Sequence, residues 1–181
     1  MRYTNLTLAI LFSLCVAASA SAQQAAQQCK VGVESAPEIR GLRLGMTLEQ
    51  VRSRLPSLQV KPSRFGLTTA SLDYPYPVAA RPAGLEGVQS ISLEFVDERL
   101  TKIGIMYSNS INWQTSRQFS ERVAAALKLP DAWENGSNMR CEGFYISVIP
   151  NYISMSEIQP YEIIQQRRVE YEEKERQGFQ P

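Results

Sequence analysis

Histidine is absent from this 181-residue chain. Its absence removes the usual general base near neutral pH and the usual nitrogen ligand for zinc, copper and haem. Serine, cysteine and metal hydrolases of the common kinds are excluded on that ground, and neither a cofactor nor a metal is expected. Paired carboxylates, the machinery of glycoside hydrolysis, survive the exclusion. Aspartate is scarce too, at positions Asp73, Asp97 and Asp131, and acids such as Glu94, Asp97 and Glu98 read as the solvated end of a hairpin.

Long hydrophobic runs are also missing. The most apolar stretch, Leu6 to Ala17, falls short of the roughly 20 residues a spanning helix needs. With Arg2 before it and Ala20-Ser21-Ala22 after it, the stretch reads as a secretory signal peptide over residues 1–22. Cys15 follows Phe12-Ser13-Leu14, without the small residue that lipid attachment requires, so a lipid anchor is not expected there. Removing 22 of 181 residues leaves 159, enough for one domain. The expected product is exported, periplasmic or secreted, and has no transmembrane segment.

Charge of either sign is not in excess. The 19 basic and 18 acidic residues become 18 of each once Arg2 leaves with the signal, and that balance argues against a nucleic-acid partner. Of three cysteines, Cys29 and Cys141 remain in the exported chain, and a disulfide between them is the default in an oxidising compartment.

What the chain does contain is an ordered succession of helix and strand signals. Residues 23–38 are polar and without sustained periodicity, and predict a flexible leader. An α+β domain is expected over residues 39–160. Thr47 and Gln50 form the T-x-x-Q pattern of a capping box, Leu48, Val51 and Leu55 share one helix face, and Pro56 stops the helix. Weak strand signals in 58–62 and 65–74 are followed by a proline- and glycine-punctuated loop from Asp73 to Gly87.

The alternation of Ile91, Leu93 and Phe95, then of Thr101, Ile103, Ile105 and Tyr107, predicts a hairpin turning at Asp97-Glu98-Arg99. Thr115 and Gln118 repeat the cap before a second helix marked by Phe119, Val123 and Leu127, and residues 141–158 read as a second hairpin turning near Pro150-Asn151. Helix-then-strands therefore occurs twice, over about 39–110 and 111–160, which suggests a degenerate tandem repeat. Residues 161–181 carry i,i+4 pairs such as Arg168 with Glu172, and predict a polar terminal helix docked only at its start. The expected fold class is an antiparallel sheet with helices packed on one face.

The run "GLRLGMTLEQVRSRL" resembles the glycine-methionine-threonine helix start of the SmpA/OmlA family of small envelope lipoproteins, and of proteins sharing the fold of the β-lactamase inhibitor protein. The resemblance covers about 15 residues. It implies helices on one face of an antiparallel sheet, often duplicated, and non-catalytic binding.

Between Arg40 and Arg64 stand six basic residues against the single acid Glu49, while Glu86, Glu94, Asp97 and Glu98 make the next region acidic. Two readings follow: arginines that flank an apolar helix face with their heads in water, or a surface for an anionic partner. The second makes Arg40, Arg43, Arg52, Arg54, Tyr74 and Tyr76 the candidate binding residues, the tyrosines being held by Pro75 and Pro77. The partner expected is an envelope protein or an anionic polymer, of unknown identity, and the oligomeric state is open. A carboxylate-based glycan hydrolase of the envelope is the alternative function.

Overall fold

A computed structural model describes residues 28–74, 83–108 and 115–178. Residues 1–22, read from sequence as a signal peptide, and Tyr76 and Trp113 lie outside the described residues. Three helices, α1 (Leu48–Arg54), α2 (Ser116–Leu127) and α3 (Gln159–Gly178), accompany seven strands. The strands are β1 (Gln59–Val60), β2 (Leu67–Asp73), β3 (Val88–Val96), β4 (Arg99–Tyr107), β5 (Asn138–Arg140), β6 (Phe144–Ile149) and β7 (Tyr152–Glu157). They form one antiparallel sheet in the order β1-β2-β3-β4-β7-β6-β5. The class is α+β, as the residue patterns indicate.

The order shows how the two halves combine. Each is a helix followed by a meander, and the halves meet where the last strand of one, β4, pairs with the last strand of the other, β7. One sheet and one core result. Ile91, Leu93 and Phe95 of β3, Ile103 and Ile105 of β4, Ile153 and Met155 of β7, and Phe144, Ile146 and Val148 of β6 fill one sheet face, with Val51 and Leu55 of α1 and Phe119 and Val123 of α2 packed against it. Period-2 alternation places every second residue on that face, so a slip of one would bury serines and glutamates instead.

Both expected caps are present. Thr47 Oγ1 accepts from the Gln50 N–H (3.2 Å) and the Thr47 N–H donates to Gln50 Oε1 (2.9 Å), closing a reciprocal box at the start of α1. Thr115 accepts from the Gln118 N–H at the start of α2, and Lys128, left-handed at φ 55°, ends that helix before Pro130 is reached.

Three details differ from the sequence reading. First, Thr101 does not take the core position in β4. Register shifts between Glu94 and Phe95, so that Leu100 pairs Phe95, Lys102 pairs Glu94 and Thr101 is the extra residue of a bulge. Leu100 is 0% exposed, and Thr101 turns its hydroxyl to the Glu94 carbonyl. Second, residues 28–38, the described part of the leader expected over 23–38, touch the domain at more points than Cys29. Cys29 is bonded to Cys141 with Cα atoms 4.5 Å apart, the Glu142 N–H donates to the Val31 carbonyl, and Ala36 is buried in the core. Third, α3 lies over the sheet face opposite α1 and α2, because its residues share a groove with Glu94, Lys102, Tyr145 and Ser156, which alternate with the core side chains.

Among the described residues no helix is long and apolar enough to cross a membrane.

Candidate functional site

The open face of the sheet is polar along most of its width. Register aligns Ser71, Ser92, Gly104, Ser154 and Ser147 in one row across five strands. The neighbouring row runs Thr69, Glu94, Lys102, Ser156, Tyr145, and it forms the floor under α3. Between that floor and the helix is a groove of about 780 Å³, within the range of ligand sites.

Two neighbouring turns fix the position of α3. Asp97 and Glu98 join β3 to β4, and Phe65 and Gly66 join Arg64 to Leu67; all four have positive φ, which suits the right-handed twist of a two-residue hairpin. The Asp97 N–H donates to the Gly66 carbonyl (2.9 Å), so the turns sit side by side. Arg167 of α3 then grips Asp97 with both terminal nitrogens, Nη1 to Oδ1 at 2.7 Å and Nη2 to Oδ2 at 2.8 Å, and donates to the Phe65 carbonyl at 3.3 Å.

Tyr171 meets the Phe65 ring edge-on, with centroids 5.4 Å apart. Gly66 is required for this arrangement: a β-carbon there would run into the Arg167 guanidinium and lie 2.7 Å from Asp97 Oδ1, and the backbone stands at φ 78°. At the near end Pro160 is buried and the Ile158 N–H donates to the Gly143 carbonyl. The terminal helix is therefore fastened at its start and again near its middle, at Arg167 and Tyr171, beyond the docking at its start that the sequence predicts.

The floor carries a single ion pair, Lys102 Nζ to Glu94 Oε1 at 2.8 Å. The hydrogen bond to Glu94 raises the Lys102 pKa above that of an ordinary lysine, against the opposing effect of burial. The Asp97 carboxyl is held below the usual aspartate range, first by the hydrogen bond from Arg167. Walls and rim are aromatic and aliphatic: Phe65, Tyr145, Pro160, Tyr161, Ile164 and Tyr171. Guanidiniums cover the outer faces of two rings, Arg64 over Phe65 at 4.9 Å and Arg140 over Tyr145 at 5.3 Å.

The large hydrophobic side chains exposed among the described residues, Tyr145, Ile149, Tyr161, Ile163, Val169 and Tyr171, all belong to β6 or α3. Tyr145, Tyr161 and Tyr171 of this set line the groove. Three carboxylates line the groove, Glu94, Glu157 and Glu172, and each lies against a cation: Lys102, Arg99 and Arg168.

Searches against protein-family models, curated proteins and solved structures find no match to this chain.

The residues singled out from sequence divide into separate places. Arg40 lies over the Tyr107 ring (5.5 Å) and donates to the carbonyls of Gly84 and Glu86. Arg54 donates to the Gly41 carbonyl and stands 3.5 Å from Glu38, beside Arg40 in the chain. Tyr74 packs partly against the core, its N–H on the Gln89 carbonyl near the same end of the sheet. Arg43 faces a small polar cleft with Arg99 near the Asp97-Glu98 end, and Arg52 is exposed on α1. Tyr76 is outside the described residues. Arg40 and Arg54 thus lie near one another while Arg43 lies elsewhere, and none of the five described residues lines the α3 groove.

Sequence reasoning missed Glu94, Lys102, Tyr145, Arg167 and Tyr171 as one site. Lys102 and Glu94 had a signal, being charged residues inside alternating strands. Arg167 and Tyr171 had little, since their partners stand 70 and 106 positions away.

Proposed function

We propose that this protein is an exported, non-catalytic binding module of the cell envelope, and that the groove between α3 and the open sheet face holds an extended segment of a partner protein. The observation that carries the reading is that three of the exposed large hydrophobic side chains, Tyr145 of β6 and Tyr161 and Tyr171 of α3, line that groove. Rigid tyrosines lose little entropy on contact and supply most of the area in recognition surfaces. The disulfide between Cys29 and Cys141 fits an oxidising compartment, and the resemblance of Gly41 to Leu55 to envelope binding proteins points the same way.

Between the two partner classes, the charges favour protein. Each carboxylate lining the groove has its own cation, so a polyanion would have to displace acids to reach Lys102 or Arg168. The same pairing gives a glycan hydrolase no support, since a general acid must hold a proton and a nucleophile must be free to attack.

The test is capture from the native envelope by the immobilised exported protein, compared with a Tyr145→Ala/Tyr161→Ala double variant. Both side chains are exposed, Tyr161 at 70%, so folding is expected to persist. Loss of a captured protein by the double variant, with unchanged melting temperature, supports the reading. Undiminished capture by the folded double variant contradicts it.

A further inference from the structure

A second cavity lies on the other side of the sheet, beneath α2, with a volume of about 400 Å³. Its walls are apolar: Tyr107 and Ile153 from the sheet, and Phe119, Val123 and Leu127 from α2. Its charged residues are Glu38, Arg40 and Arg122. Glu38 stands 3.5 Å from Arg54, which partners its charge. Arg40 spends one N–H from each of its three nitrogens on uncharged oxygens, those of the Tyr107 hydroxyl and the Gly84 and Glu86 carbonyls, which leaves two of its five N–H groups. Arg122 has no hydrogen-bond or ion-pair partner among the described residues. Arg40 also lies within electrostatic reach of the Glu86 carboxylate. The cavity therefore combines an apolar interior with a rim on which Arg122 is the cation without a partner among the described residues.

We infer that this cavity binds a small aliphatic monocarboxylate, the chain packed between α2 and the sheet and the carboxylate held by Arg122 and the remaining N–H groups of Arg40. A planar carboxylate matches the guanidinium fork in a way that an ammonium or an alcohol does not. The volume is near the lower end for ligand sites, which suits a single medium-length chain and not a two-chain lipid. The inference is independent of the α3 groove, which is built from other residues on the opposite sheet face.

The experiment is a titration of the ¹⁵N-labelled exported protein with sodium octanoate, followed by amide resonances and by calorimetry, with octan-1-ol and octylammonium as equal-length comparisons. Octanoate is expected to shift the amides of Phe119, Val123, Ala126 and Leu127 saturably, and to bind at least tenfold more tightly than the alcohol. Arg122→Gln, at an exposed position, is expected to weaken octanoate at least tenfold. Ala126→Trp, also exposed and at the mouth, is expected to abolish it. Equal affinity for octanoate and octanol, an unchanged constant in Arg122→Gln, or shifts centred on α3 and β6 would each overturn the proposal, as would the absence of saturable shifts. If Ala126→Trp does not fold, the charge comparison and Arg122→Gln decide alone.

Discussion

Arg167 and Asp97, 70 positions apart in the chain, form a two-point ion pair that fastens α3 to the turn between the two longest strands. Among the described residues of α3 only Pro160 is buried, so the helix is held by a few contacts over an otherwise solvated length. Removing the pair by Asp97→Asn or Arg167→Gln is expected to release the far half of α3. Hydrogen exchange checks this: peptides covering residues 165–178 exchange faster while β3 and β4 keep their protection, and the melting temperature barely moves, as for other exposed pairs.

The same pair sets a pH dependence. The native Asp97 carboxyl is held below its ordinary value of 3.8, chiefly by the hydrogen bond from Arg167. Stabilisation from a depressed carboxyl is present above the unfolded pKa and is lost as pH falls through the native one. Docking of α3 is therefore expected to be constant from pH 7 to about 5 and to weaken below the ordinary aspartate range. Exchange of residues 165–178 measured at pH 6 and again near pH 2.5, with Asp97→Asn as the pH-insensitive reference, is the check.

Gly66→Ala combines a β-carbon at φ 78° with a collision against the Arg167 guanidinium. A loss of about 1–3 kcal/mol is expected from the backbone alone, accompanied by the same release of α3. Chemical denaturation together with hydrogen exchange separates the two effects.

The bulge in β4 assigns opposite roles to adjacent residues. Leu100→Ala is expected to cost about 2–5 kcal/mol, as a buried large-to-small change. Thr101→Ala removes one hydroxyl donor to the Glu94 carbonyl and is expected to cost about 1 kcal/mol. Urea midpoints of the two variants decide; the reverse ranking would place Thr101 in the core.

Reduction or Cys29→Ser/Cys141→Ser opens a loop spanning 112 positions, for which the chain-entropy relation gives about 4–5 kcal/mol. Thermal melting with and without reductant is the measurement.

Local chemistry explains what was legible in the sequence. Thr47 with Gln50, and Thr115 with Gln118, announce helix starts through contacts four residues wide, and the alternation around Ile91–Phe95 and Ile146–Val148 gives strands and their buried face. The bulge was not legible, because Leu100-Thr101 offers two adjacent residues that each fit an alternating pattern. Only the pairing of Leu100 with Phe95 chooses between them. The α3 groove was illegible for a related reason: rows across a sheet depend on register, and Lys102, Ser156 and Tyr145 become neighbours only once β4, β7 and β6 are aligned. Charge density along the chain takes no account of intramolecular acceptors, such as the Gly41 and Gly84 carbonyls that Arg54 and Arg40 reach.

Site-specific photo-crosslinking in the native envelope tests the binding account most directly. A photoreactive phenylalanine analogue placed at Tyr161, on the groove rim, and another at Arg117, on the exposed side of α2, sample the two sides of the sheet. The account predicts a discrete protein adduct from position 161 that is absent from position 117 and is lost when Tyr145→Ala is added. Adducts equally strong from both positions, or from position 117 alone, would contradict it.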